Sequence, residues 1–148
     1  MYQIPSMQHQ QLIKLLDQLE LSVLKSASIN QLSEQISQII NLAALHFQNQ
    51  EAVINKHHFI ETSCLDEIYR HSKEHNEILH RLQVLADKLI HHRIPFKKCY
   101  INLFRIWLEI HLVDSDNRLD MLLYPHRIKF ANRTKYNKAK LVDVYLEF

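Results

Sequence analysis

The chain of 148 residues contains no glycine. Glycine supplies positive φ angles and close backbone approach, so Gly-rich phosphate loops, dinucleotide-binding fingerprints and glycine-dependent hairpin turns are excluded. Long helices need no glycine, and a chain of this length buries a hydrophobic core without disulfide or metal staples. The sequence therefore predicts one all-α domain.

Apolar residues recur at helical spacing in four segments, the first two of which have clear start signals. Ser6, after Pro5, is expected to cap a first helix that runs to about Lys25. Ser28 has capping-box spacing with the residue three positions on, and the helix that it caps runs to about Asn55.

The third and fourth segments are long and strongly apolar on one face. Thr62 or Ser63 is expected to cap a third helix that ends at about His92. Pro95 suits the start of a fourth helix, which continues to about Leu123. Short connections between four such helices predict an up-down-up-down four-helix bundle.

The composition changes after the predicted bundle, which spans residues 1–124. Six basic residues with no acid among them lie between Arg127 and Lys140. We expect 125–148 to be a basic C-terminal tail, either a solvated segment or a docking element for an acidic partner. Nucleic acid is not expected as a partner, because few aromatic residues are interleaved with these charges.

Cysteine usage and hydropathy indicate a cytoplasmic protein. The two cysteines form no CxxC motif, and the polar N-terminus does not resemble a signal peptide. The most apolar stretch, Cys99 to Val113, is interrupted by Asn102, Arg105 and Glu109. It therefore predicts a buried helix rather than a membrane span.

Histidine is unusually frequent, with 11 in the chain, and imidazole is the commonest protein metal ligand. In an up-down bundle the start of the first helix, the end of the second, the start of the third and the end of the fourth meet at one end. Five histidines are expected at that level: His9, His46, His71, His75 and His111. Buried imidazoles need partners, so a shared metal or a set of hydrogen bonds to backbone carbonyls would be required.

The order and spacing of four motifs resembles the hemerythrins, especially the bacterial ones, over about residues 4 to 120. The motifs are Gln8-His9, His46-Phe47, His71-Ser-Lys-Glu-His75, and Trp107-Leu108-Glu109-Ile110-His111 followed by Asp116.

That resemblance implies two non-haem irons held by five histidines and two bridging carboxylates, with dioxygen binding at the iron that has an open position. The five histidines named above would be the imidazole ligands, and Asp116 would be one bridging carboxylate. Trp107, Leu108 and Leu112 would line the dioxygen pocket. Such an apolar pocket would keep water away from bound dioxygen.

The chain departs from the family pattern at Gln50, where hemerythrins have the second bridging glutamate. A neutral amide does not bridge two irons as a carboxylate does. Three outcomes stay open: Gln50 ligates through its carbonyl oxygen, another acid such as Glu67 turns in, or the site holds one metal. The adjacent Glu51 points about 100° away from Gln50 on a regular helix.

The position of the remaining carboxylate also conflicts with simple helix geometry. Asp116 is rotated by about 140° from His111 on a straight helix, whereas Asp114 is rotated by only about 60°. The family spacing favours Asp116, and a local widening of the fourth helix would reconcile the two. We therefore assign the carboxylate to Asp116.

The leading hypothesis is a dioxygen-binding protein for storage, delivery or sensing. One alternative is a di-iron enzyme acting on peroxide or dioxygen, although no base, nucleophile or substrate cleft is evident and an enzyme is the less favoured class. The other is a degenerate, metal-poor bundle that acts as an interaction module, an idea that Gln50 motivates.

Overall fold

A computed structural model describes residues 4–56, 65–91, 97–116 and 118–119. The predicted tail at 125–148, the predicted caps Thr62 and Ser63, and Pro95 lie outside the described residues.

The described residues form four helices and contain no strand, which confirms the all-α prediction. They are α1 (Ile4–Leu24), α2 (Ile29–Lys56), α3 (Leu65–His91) and α4 (Lys98–Ile110), and α4 continues into a π-helical segment at His111–Ser115. Helix α1 packs against α2 and α4, and α3 also packs against α2 and α4. These contacts are those of a four-helix bundle, while the up-down order of the helices stays a prediction.

The start of α2 matches its sequence signal and the start of α1 does not. The backbone N–H of Gln31 donates to Ser28 Oγ at 3.3 Å, so Ser28 caps α2 as predicted. Helix α1 already begins at Ile4, so the prediction that Ser6 caps it was wrong. Pro5 is tolerated in a first helical turn, because the amide that it lacks would have no intrahelical acceptor there.

The turn between α1 and α2 contains a residue in the left-handed backbone conformation, and this residue is a serine rather than a glycine. Ser26 has φ 55°, and it is the one described residue with a positive φ. Ala27 N–H donates to Ser22 O at 2.9 Å and Ser26 N–H donates to Val23 O at 3.1 Å. This pair of bonds is the Schellman motif, whose left-handed position glycine usually occupies because a Cβ atom there is strained.

All four helices contribute to one apolar core. Its largest fully buried side chains are those of Leu12, Leu16, Leu19, Ile36, Ile39, Leu82, Leu89, Ile101, Phe104 and Leu108. The buried polar side chains form a separate set: Gln8, His46, Gln50, His71, His75, His111 and Asp116. None of the described helices is long and apolar enough to cross a membrane.

We expect Ser26→Gly to raise the free energy of unfolding by about 1 kcal/mol, because glycine removes the strain of the left-handed residue. Chemical denaturation of the metal-free protein measures the change. The matched control is Ser37→Gly, at an exposed site inside α2, where glycine should instead destabilise by about 0.5 kcal/mol. Equal effects of the two substitutions would contradict the role given to Ser26.

Candidate metal centre

The structure brings together all five histidines that the sequence singled out. His46, His71, His75 and His111 are each at most 3% exposed, and Asp116 is buried among them. His9 is the most accessible of the five, with 22% of its side chain exposed.

Three of the histidines share one group with Asp116. One potential ligand atom from each of His71, His75, His111 and Asp116 lies within 4.8 Å of all the others. Asp116 Oδ1 lies 3.2 Å from His111 Nε2 and 3.4 Å from His71 Nε2.

The other two histidines form a second group on the opposite oxygen of the same carboxylate. Asp116 Oδ2 lies 3.0 Å from His9 Nε2 and 3.2 Å from His46 Nε2. The two imidazole nitrogens are 3.2 Å apart. Asp116 therefore faces one group with each of its oxygens, as a carboxylate that bridges two metals would.

The π-helical segment explains how Asp116 reaches the centre. The backbone N–H of Asp116 donates to the carbonyl of His111, five residues earlier. This wider turn brings residues five apart onto the same side of the helix, whereas a regular turn would rotate them away from each other. The local widening expected from the sequence is confirmed.

Side chains outside the cluster hold three of the imidazoles through Nδ1. His46 Nδ1 lies 3.2 Å from Gln8 Oε1, His75 Nδ1 lies 2.8 Å from Glu51 Oε1, and His111 Nδ1 lies 3.3 Å from Glu74 Oε2. A donor at Nδ1 leaves the lone pair on Nε2, which is the nitrogen that faces the centre.

The two glutamates of this outer layer are themselves fixed. Ser72 Oγ donates to Glu51 Oε2 at 2.9 Å. Arg118 Nη2 lies 3.7 Å from Glu74 Oε1. Each imidazole–carboxylate pair is thus anchored by a third side chain, which restricts the rotation of the ring.

Gln50, Glu51 and Glu67 are the three side chains considered in place of the missing bridging carboxylate, and each has different contacts in the structure. Gln50 is buried, and its Oε1 lies 3.2 Å from His71 Nε2. Glu51 faces the outer nitrogen of His75, and Glu67 pairs with Arg70 and Arg118. The carbonyl oxygen of Gln50 is therefore the one that faces the cluster, and neither glutamate takes its place in this arrangement.

Phe47 forms an apolar wall beside the three-histidine group. Its ring stacks on His75 with the centroids 4.2 Å apart and meets His111 edge-on at 5.0 Å. The contact explains why an aromatic residue follows His46 directly, since consecutive helix positions face different parts of the same centre.

The predicted dioxygen-pocket residues lie in the core. Trp107, Leu108 and Leu112 are at most 8% exposed and belong to the same apolar cluster as Phe47. The guanidinium of Arg81 covers the Trp107 ring at 5.8 Å. Their use as a dioxygen pocket stays a prediction.

Burial keeps three of the candidate ligands neutral. Desolvation, reinforced by the neighbouring imidazoles, lowers the pKa of His71 to about 4 and that of His75 to about 2. Desolvation also lowers the pKa of His46, although Asp116 opposes it. Neutral imidazole is the form that binds metals.

Charged neighbours shift the pKa values of His111 and Asp116 in the direction opposite to the effect of burial. Burial disfavours the charged form of His111, but its contacts with Asp116 and Glu74 outweigh this and raise its pKa. Burial also opposes the ionised form of Asp116, but contacts with His111, His46 and His9 hold its pKa well below the ordinary value. Asp116 is therefore an anion in the buried cluster.

The donor set fits a metal. Five buried side-chain atoms of the described residues have no hydrogen-bond partner: Gln35 Oε1, His71 Nδ1, His75 Nε2, His111 Nε2 and Asp116 Oδ1. The last three are in the group that could hold a metal. Nitrogen and oxygen ligands that are about 2.1 Å from one metal lie roughly 3.0 to 3.4 Å from each other. The contacts of Asp116 with four imidazole nitrogens fall in this interval, so cations would satisfy atoms that are otherwise left unpaired.

Sequence reasoning did not find the outer residues that hold the rings. Glu51 was considered only as a substitute for Gln50, although its rotation away from Gln50 is what carries it to His75 on α3. Glu74 was overlooked, although it directly precedes His75. Acids beside ligand positions were the available signal, because metal-binding histidines usually donate their second nitrogen to a carboxylate or carbonyl.

Four helices around a buried set of histidines and one aspartate define a metal-binding bundle domain. The family model for the hemerythrin HHE cation binding domain matches residues 2–123, and the chain belongs to the hemerythrin family. Comparisons with curated proteins and with solved structures gave no match.

We expect the metal-free protein to lose stability as the pH falls below 6.5. Unfolded histidines bind protons near pH 6.5, whereas folded His46, His71 and His75 resist protonation, so acid favours the unfolded chain. His111 has a raised pKa, so it is protonated in both the folded and the unfolded state below pH 6.5 and contributes little to the slope there. The slope below pH 6.5 therefore comes from His46, His71 and His75, each of which contributes up to about 1.4 kcal/mol per pH unit.

The free energy of unfolding should therefore fall by about 2 to 4 kcal/mol per pH unit between pH 6 and 5. Urea unfolding of chelator-treated protein at several pH values measures the slope. Stability that stays level or rises over this interval would contradict the neutral state assigned to the buried rings.

Proposed function

We propose that the protein is a non-haem di-iron protein that binds dioxygen, for storage, delivery or sensing. The observation that carries the proposal is the sharing of Asp116 between two groups of imidazoles. Hemerythrin family membership supports the same reading.

One metal would be held by His71, His75, His111 and Asp116, and the other by His9, His46 and Asp116. The second group offers two imidazoles and one carboxylate, a donor set typical of non-haem Fe(II) sites with open positions. Ferrous iron at such a site supplies the electrons that dioxygen chemistry requires.

The chain's own side chains would position and protect the irons. Glu51 and Glu74 orient His75 and His111 through their outer nitrogens. The apolar side chains of Phe47 and Leu112 keep water out, which strengthens every electrostatic interaction inside the site. We assign Trp107, Leu108 and Leu112 to the dioxygen pocket within this proposal.

The domain bounds, the location and the partner of the protein are proposed from the sequence. We propose a bundle domain over residues 1–124 followed by a basic tail at 125–148. A cytoplasmic location and an acidic partner for the tail remain part of the proposal.

Anaerobic loading with ferrous iron should give about two irons per chain by elemental analysis, and admission of air should produce a visible absorption band that disappears when oxygen is removed. His75→Ala should lose iron and the band, because it removes a ligand. His80→Ala, on the exposed face of the same helix, is the control and should keep both.

Bound iron without any visible band in air would overturn dioxygen binding. A band that bleaches irreversibly, accompanied by peroxide turnover that His71→Ala abolishes, would favour the enzyme alternative. Protein supplied with iron that retains none would favour the metal-poor interaction module.

We expect Gln50→Glu to slow the loss of iron to a chelator by about tenfold or more, because a second carboxylate would neutralise charge between the metals. Gln50 is buried against His71, whereas Gln48 is exposed on the same helix. Gln48→Glu adds the same charge outside the site and should leave iron release unchanged. Equal release rates for both variants would mean that Gln50 does not face the metals.

A further inference from the structure

The two groups that share Asp116 differ in the number of imidazoles. His71, His75 and His111 surround one oxygen of the carboxylate, while His9 and His46 surround the other. Each imidazole adds a metal–ligand bond, so a cation in the first group gains one more than a cation in the second.

The outer hydrogen bonds increase the difference. In the three-histidine group, His75 and His111 are backed by the carboxylates of Glu51 and Glu74, whereas His71 Nδ1 has no hydrogen-bond partner among the described residues. In the two-histidine group, His46 is backed by the neutral amide of Gln8. A carboxylate behind an imidazole makes the ring a stronger ligand, and loss of such a partner typically weakens metal binding by about 10- to 100-fold.

Solvent exposure differs in the same direction. The side chains of His71, His75 and His111 are at most 4% exposed, whereas that of His9 is 22% exposed. A ligand in contact with water exchanges its metal more readily, because water competes for the coordination position.

Gln50 removes the charge that would support a second cation. With an amide at this position, the described cluster offers one carboxylate, Asp116, between two dications. A metal in the three-histidine group then repels the next one with less compensation than two bridging carboxylates would give. This repulsion lowers the affinity of the site for whichever metal binds second.

We propose that the chain binds its two metals in sequence and with unequal affinity. The first occupies the group of His71, His75, His111 and Asp116, and the second occupies the group of His9, His46 and Asp116 as a weakly held, exchangeable ion. This ordering rests on the metal-binding function proposed above, and it names the half of the site that empties first.

An anaerobic titration of the metal-free protein with Co²⁺ alone, followed by the visible absorption of the bound ion, tests the order. We expect two steps of one equivalent each, with dissociation constants at least about tenfold apart. His9→Ala should remove the weaker step and leave the tighter one in place. Glu51→Gln should weaken the tighter step by about tenfold, while circular dichroism shows that the helices are retained.

His80→Ala is the control and should titrate as the parent does. A single step of two equivalents, or a His9→Ala variant that loses the tighter step, would overturn the ordering and leave dioxygen binding standing. Two unequal steps in a protein whose iron form gives no band in air would support the ordering while overturning dioxygen binding. Absence of any Co²⁺ binding would overturn both.

Discussion

The buried carboxylate of Asp116 is the interaction on which the centre depends. An anion in an apolar bundle is expensive unless cations or donors surround it, and four imidazole nitrogens lie within 3.4 Å of its two oxygens. Burial lowers the pKa values of His46 and His71, whereas the contacts of His111 with Asp116 and Glu74 raise its pKa. His75 is neutral as well, so three imidazoles of the cluster present lone pairs. Metal ions would satisfy the buried atoms that hydrogen bonds leave unpaired, His75 Nε2, His111 Nε2 and Asp116 Oδ1.

Much of the fold followed from patterns that need no tertiary information. Apolar spacing located four helices, and Ser28 marked the start of α2 because a hydroxyl at that position satisfies a free amide. The start of α1 at Ile4 was missed. Serine is favoured both at caps and in first turns, so one residue next to Pro5 did not decide between the two registers.

The grouping of the five histidines was also predictable, because helix periodicity and the expected order of the helices place them at one level. Asp116 was assigned from the family spacing, against the geometry of a regular helix. The sequence alone did not reveal the direction of each acid. Glu51 was judged by its angle from Gln50 on one helix, but its partner His75 lies on another, and the rotation between neighbouring helices is set by packing. The contacts of Glu51 and Glu74 depend on how two helices pack, whereas the positions of the buried histidines depend mainly on the apolar face of each helix.

The backbone of this glycine-free chain departs from regular helix geometry at two places that differ in their effect on the site. At the first turn, Ser26 adopts the left-handed conformation, about 17 residues along α1 from His9, or roughly 25 Å at 1.5 Å per residue. That strain closes a helix end and does not reach the site. The widened turn at His111–Ser115 lies inside it, and there the departure from regular geometry directs Asp116 to both imidazole groups. A regular helix would save the cost of the widened turn but would leave the two halves of the centre without the carboxylate that joins them.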